Sequence, residues 1–176
     1  MKKITGEERR HYLLNYLKTS SQALTGSDLA KLTNVSRQVI VNDMNLLKAK
    51  NEPIISTSQG YLFLHTQNSQ TRFERKIVSV HKPEQTKEEL FTIVDCGAIV
   101  QNVIVEHPVY GEITANLHVS SRLEVEAFIQ QLQETNATLL SALTDGTHLH
   151  VISAPSDEIL NLVEIKLREK GFILED

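Results

Sequence analysis

A helical segment at residues 36–50 constrains the fold of this chain more than any other feature of its sequence. Three apolar residues recur there at the spacing of one helical face, namely Ile40, Met44 and Leu47. That face must pack on other elements, and two shorter helical segments precede it in the chain. Ser36 can cap the helix N-terminus, and the Asn-Glu-Pro sequence at 51–53 ends the helix.

The opposite face of the predicted helix is rich in amides, whereas a merely solvated surface more usually carries Lys and Glu. Amide and guanidinium groups can pair with the edges of DNA bases, and valine can contact a thymine methyl group. The predicted DNA-contacting residues are therefore Ser36, Arg37, Gln38, Val41, Asn42 and Asn45.

The segments around this helix complete a recognisable domain. Residues 7–18 show helical spacing of apolar side chains, and we expect Ser27 to cap a short second helix. Residues 53–64 contain two apolar runs separated by a polar tip with glycine, which predicts a β-hairpin. Three helices followed by a hairpin indicate a winged helix-turn-helix DNA-binding domain, which we place at residues 1–66.

Composition and charge narrow the class of protein. Cys96 is the single cysteine, which excludes an intramolecular disulfide and a thiolate-rich zinc site. A reduced cytoplasmic setting is therefore expected. No apolar run approaches the ~20 residues that span a bilayer, so we expect no membrane partner. Residues 1–66 carry nine Lys and Arg against five Asp and Glu, whereas the remaining residues carry nine against seventeen. The basic front half is the part expected to face a polyanion.

The back half alternates strand-like and helical segments. A polar stretch without periodicity, residues 65–71, predicts the domain boundary, and the second domain is placed at 72–176. We predict strands at 75–81, 100–106, 112–119, 137–143 and 147–153, and helices at 83–97, 120–134 and 156–170. A hairpin turn at 144–146 joins the last two strands. The expected fold class is α+β, with the winged helix followed by an α/β sandwich built on a mixed sheet.

Histidines in the back half form a candidate metal site. His148 and His150 are one residue apart in a predicted strand, so both imidazoles point to the same face. His81 ends the first strand of this domain, and Glu89 falls in the first turn of the next helix. Three imidazoles and one carboxylate suit Zn, Ni, Mn or Fe, and ligand type alone does not choose among these metals.

Each of these residues also has an alternative interpretation. A His-x-His pair in a strand is often incidental to any metal. Glu89 follows Thr86 at the spacing of a capping box, and its neighbour Glu88 is a second candidate for the carboxylate ligand.

The segment 105–112 joins two predicted strands and offers a candidate effector site. His107 and Tyr110 could line a pocket and stack on, or hydrogen-bond to, a flat heteroaromatic acid. The alternative is a tight strand connection that simply requires Pro108 and Gly111.

The back half resembles the three-histidine (3H) domain of niacin-responsive repressors of NAD biosynthesis in Gram-positive and related bacteria. His81, the Glu-Glu-Leu sequence at 88–90, the His-Pro-Val-Tyr-Gly sequence at 107–111 and the Gly-Thr-His-Leu-His sequence at 146–150 carry this resemblance. The front half resembles the helix-turn-helix module of many bacterial regulators, which also heads bifunctional biotin ligases.

The resemblance implies a repressor that binds nicotinic acid as co-repressor and controls genes of NAD biosynthesis or niacin uptake. It also implies a divalent metal held by the set proposed above: His81, Glu89, His148 and His150. We expect a homodimer on double-stranded operator DNA, with its two recognition helices ~34 Å apart to match a palindromic site.

Two other functions remain open at this point. The first is a metal-responsive DNA-binding regulator, in which the ion itself is the signal. The second is an enzyme with a DNA-binding head, in which a metal activates water and Glu88 acts as base. The chain has no glycine-rich nucleotide loop, and its back half is small for a ligase. The sequence therefore predicts a regulator and not an enzyme.

Overall fold

A computed structural model describes residues 5–64 and 72–174. The chain divides into two compact units, one up to residue 68 and one from residue 69. The predicted linker at 65–71 lies outside the described residues. Among the described helices, none is long and apolar enough to cross a membrane.

The first unit contains three helices and a two-stranded hairpin. They are α1 (Gly6–Thr19), α2 (Gly26–Thr33), α3 (Arg37–Ala49), β1 (Ile54–Thr57) and β2 (Gly60–Phe63). Each helix begins at a hydroxyl side chain that accepts a backbone N–H, and these caps are Thr5, Thr25 and Ser36. The cap of α2 is therefore Thr25 and not Ser27, because the helix begins earlier than its apolar spacing suggests.

The apolar faces of the three helices form one core with the hairpin. Its buried side chains include Leu13, Leu17, Leu29, Ile40, Met44, Leu47 and Ile54. The hairpin is tied to the chain before α2 by a bridge between Leu24 and Tyr61. Gly60 makes this approach possible, because its φ is +124° and a Cβ there would overlap the Leu24 carbonyl. The predicted winged helix-turn-helix fold is confirmed.

The second unit packs three helices on a four-stranded sheet. Its elements are β3 (Phe73–Val80), α4 (Thr86–Asp95), β4 (Ile99–His107), β5 (Gly111–Val119), α5 (Arg122–Thr135), β6 (Thr147–Ala154) and α6 (Asp157–Glu169), with 3₁₀ turns at Pro83–Gln85 and Leu140–Thr144. The strand order is β3-β6-β4-β5, and every neighbouring pair is antiparallel.

The prediction of a mixed sheet is therefore wrong, although the α+β class is confirmed. β3 and β4 do run in the same direction, as expected for strands joined by a helix. However, β6 inserts between them and runs against both. The prediction of a strand at 137–143 is also wrong, because that stretch contains the Leu140–Thr144 turn. Both edges of β6 are already paired, one to β3 and one to β4, so β6 has no free edge for a hairpin partner.

The helices cover one face of this sheet and create the core that positions the site. Sheet residues of this core include Ile77, Val100, Leu117, Val119 and Ile152, and helix residues include Leu90, Ile93, Val125, Leu160, Val163 and Leu167. In the β3–β6 register Ile77 lies opposite His150, and Ser79 lies opposite His148. The two histidines therefore point to the helix-covered face.

Candidate functional site

The predicted histidines and Glu89 meet in the interior of the second unit. His81, which directly follows β3, His148 and His150 are all buried, and Glu89 of α4 is fully buried. One carboxylate oxygen, Glu89 Oε2, lies 2.6 Å from Nε2 of His81, 3.3 Å from Nε2 of His148 and 3.4 Å from Nε2 of His150. Ligand atoms of His81, Glu89 and His148 all lie within 4.8 Å of one another.

The other nitrogen of each imidazole faces a backbone carbonyl. Nδ1 of His81 lies 2.9 Å from the Lys82 oxygen. Nδ1 of His148 lies 2.9 Å from the Gly146 oxygen, and Nδ1 of His150 lies 2.6 Å from the Asn102 oxygen. A carbonyl oxygen only accepts, so each Nδ1 must carry a proton and donate it. Each neutral ring therefore presents the lone pair of Nε2 to the centre, which is the arrangement of metal-bound histidines.

The electrostatics of the cluster call for a positive species at its centre. Burial by itself would raise the pKa of Glu89, but the charge of His150 and hydrogen bonds from the three imidazoles hold this pKa well below its usual value. Burial would lower the pKa of His81 and of His150, but the Glu89 carboxylate outweighs it and raises both pKa values. Three lone pairs directed at one carboxylate repel it, so the cluster favours a proton or a cation.

Unpaired buried atoms also concentrate around this cluster. Within residues 5–64 and 72–174, the buried side-chain atoms without a hydrogen-bond partner include Glu89 Oε1, Thr86 Oγ1 and Ser79 Oγ. Glu89 is a cluster member, Thr86 lies one helical turn before it, and Ser79 lies opposite His148 in the sheet. A free carboxylate oxygen beside three imidazole nitrogens is a donor set that fits a divalent transition metal.

The structure separates the two candidate carboxylates. Glu88 is exposed and lies 2.7 Å from Lys170 Nζ, whereas Glu89 points into the cluster. The capping-box interpretation of Glu89 is wrong, because Gln85 is the N-cap and Thr86 is already the first residue of α4. Among the two acidic residues, Glu89 is the one that the fold places at the imidazoles.

A cavity of about 180 Å³ opens beside the cluster, with His148 and His150 in its wall. Most of the lining is apolar and comes from α4, β4, β5, α5 and the 3₁₀ turn before β6: Leu90, Val103, Ala115, Leu117, Phe128, Leu132, Leu139 and Leu140. Polar side chains join them at Thr86, Thr138 and Ser141. A largely apolar cavity with a few polar groups in its lining is typical of a small-molecule site.

The predicted effector residues lie elsewhere. His107 ends β4, and its Nδ1 accepts the backbone N–H groups of Val109 and Tyr110 at 3.2 Å each. The rings of His107 and Tyr110 lie 5.0 Å apart, and Tyr110 is 78% exposed. Neither residue lines the cavity at His148 and His150. Their effector role stays a prediction, while their contacts show that they order the turn between β4 and β5.

The predicted DNA-contacting set forms one surface of α3. Five of its members are exposed, Val41 is half-buried, and Gln38 Nε2 donates to Asn42 Oδ1 at 3.3 Å. On the inner side, Asp43 is buried and binds Arg9 Nε at 2.6 Å and Arg10 Nη1 at 3.3 Å. Base contact by the six residues stays a prediction, and the ion pairs to α1 fix the orientation of the helix that carries them.

Several positioning groups were not identified from the sequence. The Asn102 carbonyl and the Gly146 carbonyl orient two imidazoles, but a backbone acceptor leaves no signal in residue type. Thr86 was noted only for a capping role that it does not have. Gly146 did have a signal in the sequence, because it is a glycine just before the His-x-His pair. Glycine permits a positive φ, and the observed φ of Gly146 is +92°.

Comparison with known proteins identifies relatives of both domains. Residues 74–176 match the family profile described as the 3H domain, and residues 9–62 match one described as an HTH domain. The transcription repressor NadR of Bacillus subtilis strain 168 is 50% identical over 175 residues, which cover 99% of this chain and 97% of that protein. The probable transcription repressor NiaR of Thermotoga maritima is 36% identical over 174 residues, which cover 99% and 98%.

These relatives support the prediction of a DNA-binding regulator and not an enzyme. Both similarities extend over nearly the whole chain, so they include the helix-turn-helix as well as the histidine cluster. The chain therefore belongs to the 3H-domain family and shares the two-domain architecture of relatives that are transcription repressors.

Proposed function

We propose that this protein is a transcriptional repressor that binds operator DNA as a homodimer, with nicotinic acid as co-repressor. Its target genes are those of NAD biosynthesis or niacin uptake, and it acts in the cytoplasm, where such genes are transcribed. The observation that carries the effector part of this proposal is the cavity with His148 and His150 in its wall. The named relatives and the HTH domain support the repressor part.

The cluster is the proposed metal centre of this repressor. His81, His148 and His150 would bind the ion through Nε2, and Glu89 would bind it through its carboxylate. A bound divalent ion (Zn, Ni, Mn or Fe) supplies positive charge and Lewis acidity at the end of the cavity. The carbonyls of Lys82, Gly146 and Asn102 hold the imidazoles in the required orientation.

The size of the cavity supports a single-ring ligand. An apolar protein cavity of ~150 Å³ binds benzene, so a space of about 180 Å³ accommodates one six-membered ring with a small substituent. Leu90, Leu117 and Phe128 offer apolar contacts for a flat ring. A divalent ion bound beside His148 and His150 would add positive charge there, which favours a negatively charged substituent. Nicotinate has this combination of ring and carboxylate.

The ligand can regulate DNA binding only through a difference in its affinity for two states of the protein. Nicotinate must bind the DNA-competent dimer more tightly than the incompetent one. A coupling of ~1–3 kcal/mol would raise operator affinity roughly 5- to 150-fold.

Calorimetric titration of the metal-loaded protein with nicotinate tests the effector site. Ala115 lines the cavity, so Ala115→Leu should fill it and abolish binding, whereas Ala127→Leu on the exposed side of α5 is the matched control. Tyr110→Ala tests the turn predicted from the sequence. Binding that survives in Tyr110→Ala and is lost in Ala115→Leu supports the cavity. The reverse result supports the turn, and no binding to the native protein rejects nicotinate as the effector.

A metal-responsive regulator is the second candidate function. His81, His148 and His150 all approach the Glu89 carboxylate, so these four side chains would hold an ion without a ligand from outside the protein. Operator affinity measured by gel shift, with metal and nicotinate varied separately, distinguishes the two functions. An affinity that follows metal and ignores nicotinate favours the ion as the signal.

A further inference from the structure

Thr86 is a buried polar residue without a structural role in the described protein. It is 7% exposed, and its Oγ1 has no hydrogen-bond partner among residues 5–64 and 72–174. Threonine often caps a helix through this oxygen, but here Gln85 occupies the N-cap position and Thr86 is the first residue of α4. An unpaired hydroxyl in the interior opposes folding, so its presence requires another explanation.

The position of Thr86 supplies that explanation. Thr86 lines the cavity together with His148 and His150, where most other lining side chains are apolar. The imidazoles already use both ring nitrogens, Nδ1 toward a carbonyl and Nε2 toward Glu89. Within the described part of the chain, Thr86 Oγ1 is therefore a buried hydroxyl of a lining residue that no protein group pairs.

We propose that Thr86 is a specificity-determining residue of the cavity and that its hydroxyl donates a hydrogen bond to a ring nitrogen of the ligand. This inference rests on the proposed function and assigns a role within the same site. A divalent ion in the proposed metal centre would attract a carboxylate substituent, which leaves the ring nitrogen as the acceptor for a neutral hydroxyl. The cavity would then select a pyridine ring over a benzene ring of the same shape, because the benzene analogue leaves the buried hydroxyl unpaired.

The test compares nicotinate with benzoate, which has the same carboxylate but no ring nitrogen. The native, metal-loaded protein should bind nicotinate roughly ten- to hundredfold more tightly than benzoate. Thr86→Val replaces the hydroxyl by a methyl group of similar size and should remove this preference by weakening nicotinate alone. Thr86→Ser retains the hydroxyl and should retain the preference. All dissociation constants are measured by calorimetry on the full chain.

A second measurement separates a ligand contact from a structural role. Without ligand, Thr86→Val should melt no lower than the native protein, because the hydroxyl that it removes has no partner. Thr92→Val is the matched control, since Thr92 is a buried threonine of the same helix whose Oγ1 donates to the Glu88 carbonyl at 2.7 Å. Thr92→Val should lower the melting temperature and leave the preference for nicotinate unchanged.

The other possible results would contradict either the role of Thr86 or the proposed effector. If Thr86→Val binds nicotinate as tightly as the native protein, or weakens nicotinate and benzoate equally, the role of Thr86 is rejected while the effector assignment stands. If the native protein binds neither ligand, the proposed effector is rejected, and the role of Thr86 falls with it.

Discussion

Gly146 is the residue on which two of the three imidazoles depend. Its carbonyl accepts from His148 Nδ1 at 2.9 Å and from the His81 backbone N–H at 3.4 Å. Its φ is +92°, and a Cβ at this position would overlap the carbonyl oxygen of His81. The backbone that leads into β6 can therefore approach His81 only because residue 146 has no side chain.

We expect Gly146→Ala to weaken metal binding ~10- to 100-fold, the usual effect of disturbing groups that orient metal ligands. The added methyl group must push His81 away from His148. Gly171→Ala is the matched control, because Gly171 also has a positive φ, +71°, but has no atom within 4 Å of the added Cβ. Competition against a chelator of known affinity measures the effect, and an equal loss in both variants would mean that backbone strain alone is responsible.

Asn102 is a second positioning residue and lies where the register of β4 shifts. Its carbonyl accepts from His150 Nδ1 at 2.6 Å, and its side-chain Oδ1 accepts from the Val151 backbone N–H at 3.1 Å. The side chain thus holds the irregular backbone that orients His150.

Replacement of Asn102 by Ala should lower metal affinity about tenfold, because the carbonyl loses its fixed direction. Asn116→Ala is the control, since Asn116 is the exposed cross-strand partner on β5. Chelator competition with Co²⁺, together with the visible spectrum of bound Co²⁺, reports both affinity and coordination. An unchanged spectrum and affinity in Asn102→Ala would show that the β4–β6 ladder alone orients His150.

The residue types and spacings of the cluster were predictable, but the orientation of its side chains was not. The interval between His148 and His150 indicates a shared face in any strand. The proton positions depend on carbonyls of Lys82 and Asn102, and Asn102 becomes a neighbour only through strand pairing.

At the scale of elements, the orientation of α3 depends on one buried acid. Asp43 lies on the inner side of the helix, and Arg9 and Arg10 of α1 bind both of its carboxylate oxygens. The opposite face of the same helix carries the exposed amides, so the two ion pairs also fix the orientation of the amide face.

We expect Asp43→Ala to lower the free energy of unfolding of the first domain by about 1.5–3 kcal/mol, the range for hydrogen bonds that involve charged groups. Operator affinity should fall as well. Asp28→Ala on the exposed side of α2 is the control. Denaturant unfolding followed by circular dichroism measures the effect, and identical midpoints for the two variants would exclude Asp43 as the anchor of α3.

The elements with strong periodicity were predictable, and the short ambiguous ones were not. The apolar spacing of Ile40, Met44 and Leu47 identified α3, and alternation around His148 identified β6. The strand predicted at 137–143 rests on a short apolar run, which has no decisive period. A strand there would need a free edge of β6. The strand order leaves no such edge, and this order depends on residues far apart in the sequence. The cavity was not predictable either, because its walls come from six separate elements.

At the scale of the whole molecule, the two compact units should respond differently to loss of metal. The proposed ligands all belong to the second unit, and a ligand stabilises only the domain that binds it. The first unit has its own core, so two unfolding transitions are expected.

Chelation of the metal should lower the free energy of unfolding of the second domain alone. The expected decrease is ~2.7 kcal/mol relative to a metal concentration of 100 times the dissociation constant. Differential scanning calorimetry of the full chain measures this shift. Glu89→Gln should abolish the response to metal, and Glu88→Gln, at the adjacent exposed acid, should preserve it. A metal response that persists in Glu89→Gln, or affects both transitions, would contradict the assigned centre.

The carbonyl-bound imidazole protons provide a means of observing the cluster directly. The three Nδ1–H groups of His81, His148 and His150 are enclosed by protein and held by backbone oxygens. Such protons exchange slowly with water, so they should give separate proton resonances in nuclear magnetic resonance spectra. The nitrogen shift of each Nε2 would then distinguish a protonated, a neutral and a metal-bound ring, residue by residue. The order in which the three Nε2 atoms bind an added metal ion is thus measurable in a single titration.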